Sequence, residues 1–219
     1  MPGRSVILAT GEIYHVYNRG VEHRQIFVDK RDYKRAIETI EFYQYNPQLR
    51  FSNFKNLDIE KRNNILKNIH KLPKIIEIIC YCFLPNHFHL LLRQLTESGI
   101  SNFVSKFTNS HTKYFNTRNN RDGRLFGGTF KSVRIETQEQ LLHVSRYIHL
   151  NPIISYLVKP ENLEDFQWSS FNEFMGHSGF CQKESILSEF KSTRKYKEFV
   201  LNQVDHARTL ENIKSKILE

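Results

Sequence analysis

Residues 75–92 read IIEIICYCFLPNHFHLLL. Two runs rich in β-branched and aromatic residues, 75–83 and 88–92, flank Leu84-Pro85-Asn86, and this arrangement predicts a hairpin at the centre of a sheet. Toward the N-terminus, residues 13–18 (IYHVYN) predict a first strand that stops at Arg19-Gly20. Between it and the hairpin, Tyr33, Ile37, Ile40 and Phe42 or Tyr43 recur at helical spacing, with Asp29 suited to an N-cap. Toward the C-terminus, Ile100, Phe103, Val104, Phe107 and Tyr114 or Phe115 mark a helix over 98–115, followed by a loop with Asn119-Asn120 and Asp122-Gly123. Residues 130–135 then read as a strand. Residues 138–150 read as a helix that should end near Asn151, because Pro152 disfavours helical geometry in the residue before it. The order is β-α-β-β-α-β-α, and its first six elements are those of a split βαβ sheet. The expected fold is therefore α+β: a ferredoxin-like antiparallel sheet with helices on one face, plus a C-terminal helical extension.

A chain of 219 residues is long enough for one sizeable core with an extension and short for two independent domains. Residues 46–74 are polar and basic, with a short helix expected over 58–70 ending before Pro73, and read as an insertion. Beyond Pro160 the chain turns more polar, carries the only tryptophan, Trp168, and contains two or three amphipathic helical stretches up to Glu219. A content of 39% hydrophobic and 25% charged residues describes an ordinary globular protein rather than a disordered or membranous one. Thirty-two Lys and Arg against 23 Asp and Glu give a formal charge of +9, which favours polyanionic partners, nucleic acid first. No stretch approaches the roughly 20 apolar residues of a membrane span, and Met1-Pro2-Gly3-Arg4-Ser5 lacks the apolar run of a signal peptide, so a cytoplasmic location is expected. Cys80, Cys82 and Cys181 are too few for a disulfide framework and are expected to be reduced, the first two buried in a strand.

His87 and His89 stand two apart on a predicted strand, so both imidazoles share one sheet face while Phe88 and Leu90 take the other. Such a pair can hold one divalent ion beside a phosphate; it can equally be two satisfied histidines at a strand end. Cys80 and Cys82 on the facing strand permit a rival Cys2His2 zinc site. In the last core helix, Gln140, His143, Tyr147 and Asn151 fall on one stripe, beside a mostly apolar stripe of Leu141, Val144, Ser145 and Ile148. A tyrosine in polar company can attack a phosphodiester; a helix tyrosine can also simply pack its ring and wet its hydroxyl. Between Asn102 and Arg134 stand seven cations, Lys106, Lys113, Arg118, Arg121, Arg124, Lys131 and Arg134, against one acid, Asp122. Phe107, Tyr114, Phe115 and Phe126 are interleaved, which suits either single-strand binding or a solvated helix face with its core stripe.

Four ordered motifs carry a family resemblance: YHVYNRG at 14–20, LPNHFHLLL at 84–92, FGGTFKS at 126–132 and YIHLNP at 147–152. Together they resemble the REP-associated tyrosine transposases, a branch of the single-tyrosine HUH transposases, over about residues 11–176. The segment WSSF at 168–171 resembles the one that follows the catalytic domain in that family. The resemblance implies a catalytic domain over 1–155, with the insertion at about 46–74, and a C-terminal helical extension over 156–219. It implies that His87 and His89 bind a divalent metal, Mg2+ or Mn2+, and that Tyr147 is the nucleophile. Asn151, four residues after the tyrosine, matches a position where a polar side chain completes the metal site in related transposases. The implied reaction is attack by Tyr147 on single-stranded DNA beside a REP-like hairpin, leaving a 5′-phosphotyrosine and a 3′-hydroxyl that can rejoin. Arg19, Lys131 and Arg134, together with Lys106 and Arg124, are the expected DNA contacts. Dimer-forming relatives set the tyrosine against the partner's histidines, whereas the REP-associated branch is expected to act as a monomer. The insertion and the tail beyond Gln182 depart from the family pattern. Two other readings of the same residues stay open: a non-catalytic single-stranded nucleic-acid-binding module on a ferredoxin-like sheet, and a zinc-stabilised interaction protein.

Overall fold

The computed structural model describes residues 7–209. The opening residues 1–5 and the end of the expected tail helices lie outside the described residues. Strands β1 (Ile13–Arg19), β2 (Ile76–Leu84), β3 (His87–Gln94) and β4 (Lys131–Ile135) form one sheet in the order β2-β3-β1-β4, every neighbouring pair antiparallel. This is the split βαβ arrangement, because β3 inserts between β1 and β2. Helix α1 (Lys30–Tyr43) makes the first crossover and α4 (Gly99–Arg118) the second. As expected, Asp29 caps α1, accepting hydrogen bonds from the backbone N–H groups of Arg31 and Asp32.

Helices α1 and α4 share one face of the sheet. There Tyr14 and Val16 of β1, Ile78, Tyr81 and Phe83 of β2 and Phe88, Leu90 and Leu92 of β3 join Ile40, Phe103 and Phe107 in a closed apolar core. Helices on that face alone would be too few. The run Ile76–Leu84 is apolar at nearly every position, so its second face also needs cover. Helix α5 (Gln138–Ile154) supplies it, packing Leu141, Ile148 and Leu150 with Ile79, Cys80, Cys82, Leu84 and Leu91. The extension completes this second core through Phe171 and Phe174 of α6 (Phe171–Phe174), Ile186 of α7 (Glu184–Leu187) and Tyr196 and Val200 of α8 (Thr193–Leu201). A register shift between Ile78 and Cys80 turns both Ile79 and Cys80 toward that face.

Helices cover both faces of the sheet rather than the one expected, because the second face of β2 is also apolar and α5 packs on it. Two elements also depart from expectation. Helix α5 runs past Pro152 to Ile154 rather than ending near Asn151. Pro152 falls in the final turn, where its missing N–H costs one hydrogen bond, and the Asn151 Nδ2 donates to the Tyr147 carbonyl at 2.8 Å beside the gap. The insertion holds two helices, α2 (Phe51–Lys55) and α3 (Ile59–Ile69), of which only α3 was expected. Phe51 and Phe54 anchor α2 against Phe42 of α1.

The outer margin of β2 is covered by the chain itself. The Phe83 N–H donates to the Trp168 carbonyl, the Ser170 N–H to the Tyr81 carbonyl and the Gln182 N–H to the Ile78 carbonyl. Trp168 stacks on Tyr33 of α1, centroids 4.8 Å apart. No helix among the described residues is long and apolar enough to cross a membrane.

Candidate active site

The strand registers lay side chains in rows across the face covered by α5. One row runs Cys82, His89, Tyr17, Lys131; the next runs Leu84, His87, Arg19; on the other side lie Cys80, Leu91, His15 and Val133. Alternation therefore places His15, Tyr17, His87 and His89 together while their sequence neighbours fill the opposite core.

Helix α5 lowers Tyr147 onto this group. Its ring meets His89 edge-on at 5.4 Å between centroids and His15 at 6.0 Å, both from the same chain. His87 and His89 lie 5.0 Å apart between centroids, their planes nearly perpendicular. Each imidazole has a neighbour that bears on its tautomer. The Nδ1 of His87 is 2.6 Å from Asn86 Oδ1, an acceptor, so Nδ1 carries the proton and the lone pair sits on Nε2. The Nδ1 of His89 is 2.9 Å from the Nε2 of His15. Burial brings His87 down to about 4, the nearby Arg19 charge adding to the effect, and burial alone brings His15 to about 4. Both are neutral at pH 7, the state in which an imidazole can accept a hydrogen bond or ligate a cation.

Three of the four sequence motifs converge at the end of the sheet next to His87. The Gly20 N–H donates to the Asn86 carbonyl, the Val21 N–H to the Leu125 carbonyl and the Gly127 N–H to the Arg19 carbonyl. Gly20 is sterically required here, since a Cβ would stand 2.2 Å from the Arg24 carbonyl oxygen.

The expected site residues separate into groups. Tyr147, His87 and His89 come together as described. Asn151 lies one turn farther along α5, buried, its amide N–H spent on the Tyr147 carbonyl, so only Oδ1 could ligate a metal. Among the expected DNA contacts, Arg19 and Lys131 lie on the histidine face, whereas Arg134 does not. It stands opposite Tyr14 on the far face and pairs with Glu12 at 3.0 Å. Lys106 turns away on α4, bonded to Asn46 Oδ1 and the Pro47 carbonyl, and Arg124 lines a cleft between α4 and the 124–130 loop. Of the other cations in that stretch, Arg118 is engaged with Asp29 and Asp32, and Arg121 with Asn116 Oδ1 and the Arg124 carbonyl. The Cys2His2 arrangement is not assembled: no three His, Cys, Asp or Glu side chains among the described residues group to hold a metal ion. Cys80 and Cys82 are buried with the apolar side chains under α5, and burial raises both thiols. Sequence reading missed His15 and Tyr17. Their signal was present, since YHVYN sets the two side chains two apart on a strand.

A tyrosine over a histidine pair on a ferredoxin-like sheet is an arrangement suited to phosphoryl transfer through a covalent intermediate. The sequence pattern of the IS200-like transposases matches residues 43–151, a span that holds His87, His89 and Tyr147 and ends on Asn151. The chain belongs to this family and is by that membership a transposase, a DNA-cleaving enzyme. Its fold is similar to that of a REP-associated tyrosine transposase solved bound to a REP hairpin, with a TM-score of 0.54 and 17% identity over 81% of this chain and 87% of that one. A candidate transposase from Deinococcus radiodurans R1 is 16% identical over 68% of this chain and 95% of that one, with a TM-score of 0.34. Among curated proteins the chain has no match.

Proposed function

We propose that this transposase nicks and rejoins single-stranded DNA beside a hairpin, with Tyr147 as nucleophile and His87 and His89 as ligands of a divalent metal. The observation that carries the reading is the contact of Tyr147 with His89, and through it with His87, within one chain. Tyr147 Oη forms a bond to the phosphorus while the bond from phosphorus to the 3′-oxygen of the preceding nucleotide breaks. The phenolic proton passes to solvent and the departing 3′-oxygen takes one up. Attack by a 3′-hydroxyl on the phosphotyrosine reverses the step and releases Tyr147, so the bond energy is conserved and no outside energy source is needed. A divalent cation at the histidines supplies charge neutralisation and orientation of the phosphoryl oxygens. Imidazole ligands favour Mn2+ over Mg2+. Asn151 Oδ1 would be a third ligand, with water and phosphate oxygens able to complete the shell.

His15 acts in this reading as a positioning residue. For His89 to present its lone pair on Nε2, its Nδ1–H must donate to the His15 Nε2, as metal-bound histidines donate their second ring N–H to a fixed partner. Arg19 and Lys131 flank the site as phosphate contacts. Action as a monomer belongs to the same proposal. That the hairpin-bound transposase shares this fold supports a hairpin substrate. The test is a denaturing gel of labelled hairpin oligonucleotides, taken from repeats beside the gene and incubated with protein and Mn2+ or Mg2+. A covalent adduct present in the native protein and absent in Tyr147→Phe is the expected result. Tight binding with no adduct on any hairpin would move the assignment to the non-catalytic binding module.

A further inference from the structure

On the side of the α1 and α4 layer away from the histidines, α2 and its preceding loop form a groove with α4 of about 900 Å³. Arg35, Arg50, Lys55, Lys106, Lys113 and Arg118 line it, and no acidic residue does. Two of these charges are already answered, Lys55 by Glu38 at 2.9 Å and Arg118 by Asp29 and Asp32. Arg35, Arg50, Lys106 and Lys113 form no ion pair among the described residues; Lys106 is hydrogen-bonded to Asn46 Oδ1 and the Pro47 carbonyl and Arg35 lies on Tyr114, which leaves Arg50 and Lys113 the charges most open to the groove. Arg50 and Lys113 are solvent-exposed, one on each wall. Lys106 and Lys113 stand seven residues apart on α4, about 10 Å along its axis, far enough to meet different phosphates.

The rings in this groove are not offered for stacking. Tyr43 and Phe51 are buried, and the guanidinium of Arg35 covers Tyr114 at 4.4 Å. Surfaces that take single strands pair cations with open aromatic faces. Cations without open rings suit a ligand whose bases are hidden and whose phosphates are outward, which is a double helix. One wall comes from the insertion at 46–74, which carries Arg50 and Lys55.

We infer that the groove between α2 and α4 is a second DNA-binding site, which holds the phosphate backbone of duplex DNA on the side of the molecule away from Tyr147. The inference rests on the chain being a DNA-processing enzyme but not on the chemistry assigned to Tyr147. Its sequence preference should be slight, because phosphate contacts position a duplex without reading it.

The test is fluorescence anisotropy of a labelled blunt-ended DNA duplex titrated with the full chain across a range of salt concentrations. The double variant Arg50→Gln/Lys113→Gln should bind at least about tenfold more weakly at physiological salt, and the slope of log affinity against log salt should flatten by about two. Lys113→Gln alone should flatten it by about one, which keeps the test open should the double variant be unstable. The control Lys159→Gln/Lys191→Gln removes two exposed cations elsewhere and should leave affinity near the native value. Equal losses in control and groove variants, or no loss in the groove variants, overturn the inference, as does tighter binding of an RNA duplex of the same sequence. Groove-dependent duplex binding with no Tyr147 adduct on any hairpin would remove the proposed chemistry and leave the groove standing.

Discussion

Beneath α1 and α4, Tyr14, Val16, Phe88, Leu90 and Leu92 close a dry core, while one residue away along the same two strands His15, Tyr17, His87 and His89 face α5. The two faces are made by the same backbone and differ only in which member of each alternating pair is polar. The core face is filled by side chains whose worth is area removed from water. The site face holds side chains whose worth is geometry, a tautomer fixed by a neighbour and a tyrosine set against a ring. In the proposed reading function is therefore attached to two central strands whose other side is solid core, and the positions of the imidazoles are set by packing they do not share.

Substitutions on each face should separate the two contributions. The largest effect is expected from Tyr147→Phe, which should lower adduct formation by about 10⁴-fold or more, roughly 5.5 kcal/mol of barrier, while circular dichroism and thermal melting stay native. A large melting shift would mean that Tyr147 belongs to the packing of its face. Next, Phe88→Ala on the core face should cost about 3–5 kcal/mol in urea unfolding, since Phe88 is fully buried among Phe83, Phe107 and Phe126. If its adduct yield per folded molecule falls as well, the faces are coupled. His15→Ala should weaken Mn2+ binding about 10–100-fold by calorimetry with little change in stability. Unchanged Mn2+ affinity would show that His15 only packs.

The smallest expected effect is on pH. His111 of α4 is buried on the core side, donates from Nε2 to the Ile26 carbonyl at 2.7 Å, and has no acceptor among the described residues for a proton on Nδ1. Burial lowers it from 6.5 to about 4. Below about 6.5 the unfolded chain takes up a proton that the folded chain refuses, so this stability is complete above 6.5 and is lost as pH falls toward 4. Between pH 7.5 and 5.5 His111 should account for about 1 kcal/mol of the stability lost in urea unfolding, beside comparable shares from His15, His87 and His149, and His111→Gln should reduce the loss by that amount.

The hairpin and both crossover helices were legible because their patterns are long and agree with one another: nine strand residues in Ile76–Leu84 and a capped helix behind Asp29. Helix α2 was not, since the five residues Phe51–Lys55 have no helical period and are held by tertiary contacts of two phenylalanines. The end of α5 was misread because Pro152 acts on the residue before it only if nothing outweighs that preference, and here Ile153 and Ile154 are buried. At the site, His87, His89 and Tyr147 were visible through motif and spacing. Arg134 was grouped with Lys131 although three residues separate them on a strand, an odd number that forces opposite faces. His15 escaped although YHVYN sets it two residues from Tyr17 on a strand, because only its register opposite Leu91 brings it beside His89.

The segment that runs from Trp168 to Gln182 along β2 has a consequence for growth. A sheet can be lengthened only where a strand still has unused hydrogen-bonding groups. On the β2 side the molecule spends those groups on its own backbone. On the β4 side the outer strand is five residues long and carries Lys131 and Arg134, both solvent-exposed. There the Arg134 charge is answered by Glu12, and Lys131 stays exposed on the same strand. At the β2 margin the sheet is thus stopped by occupancy.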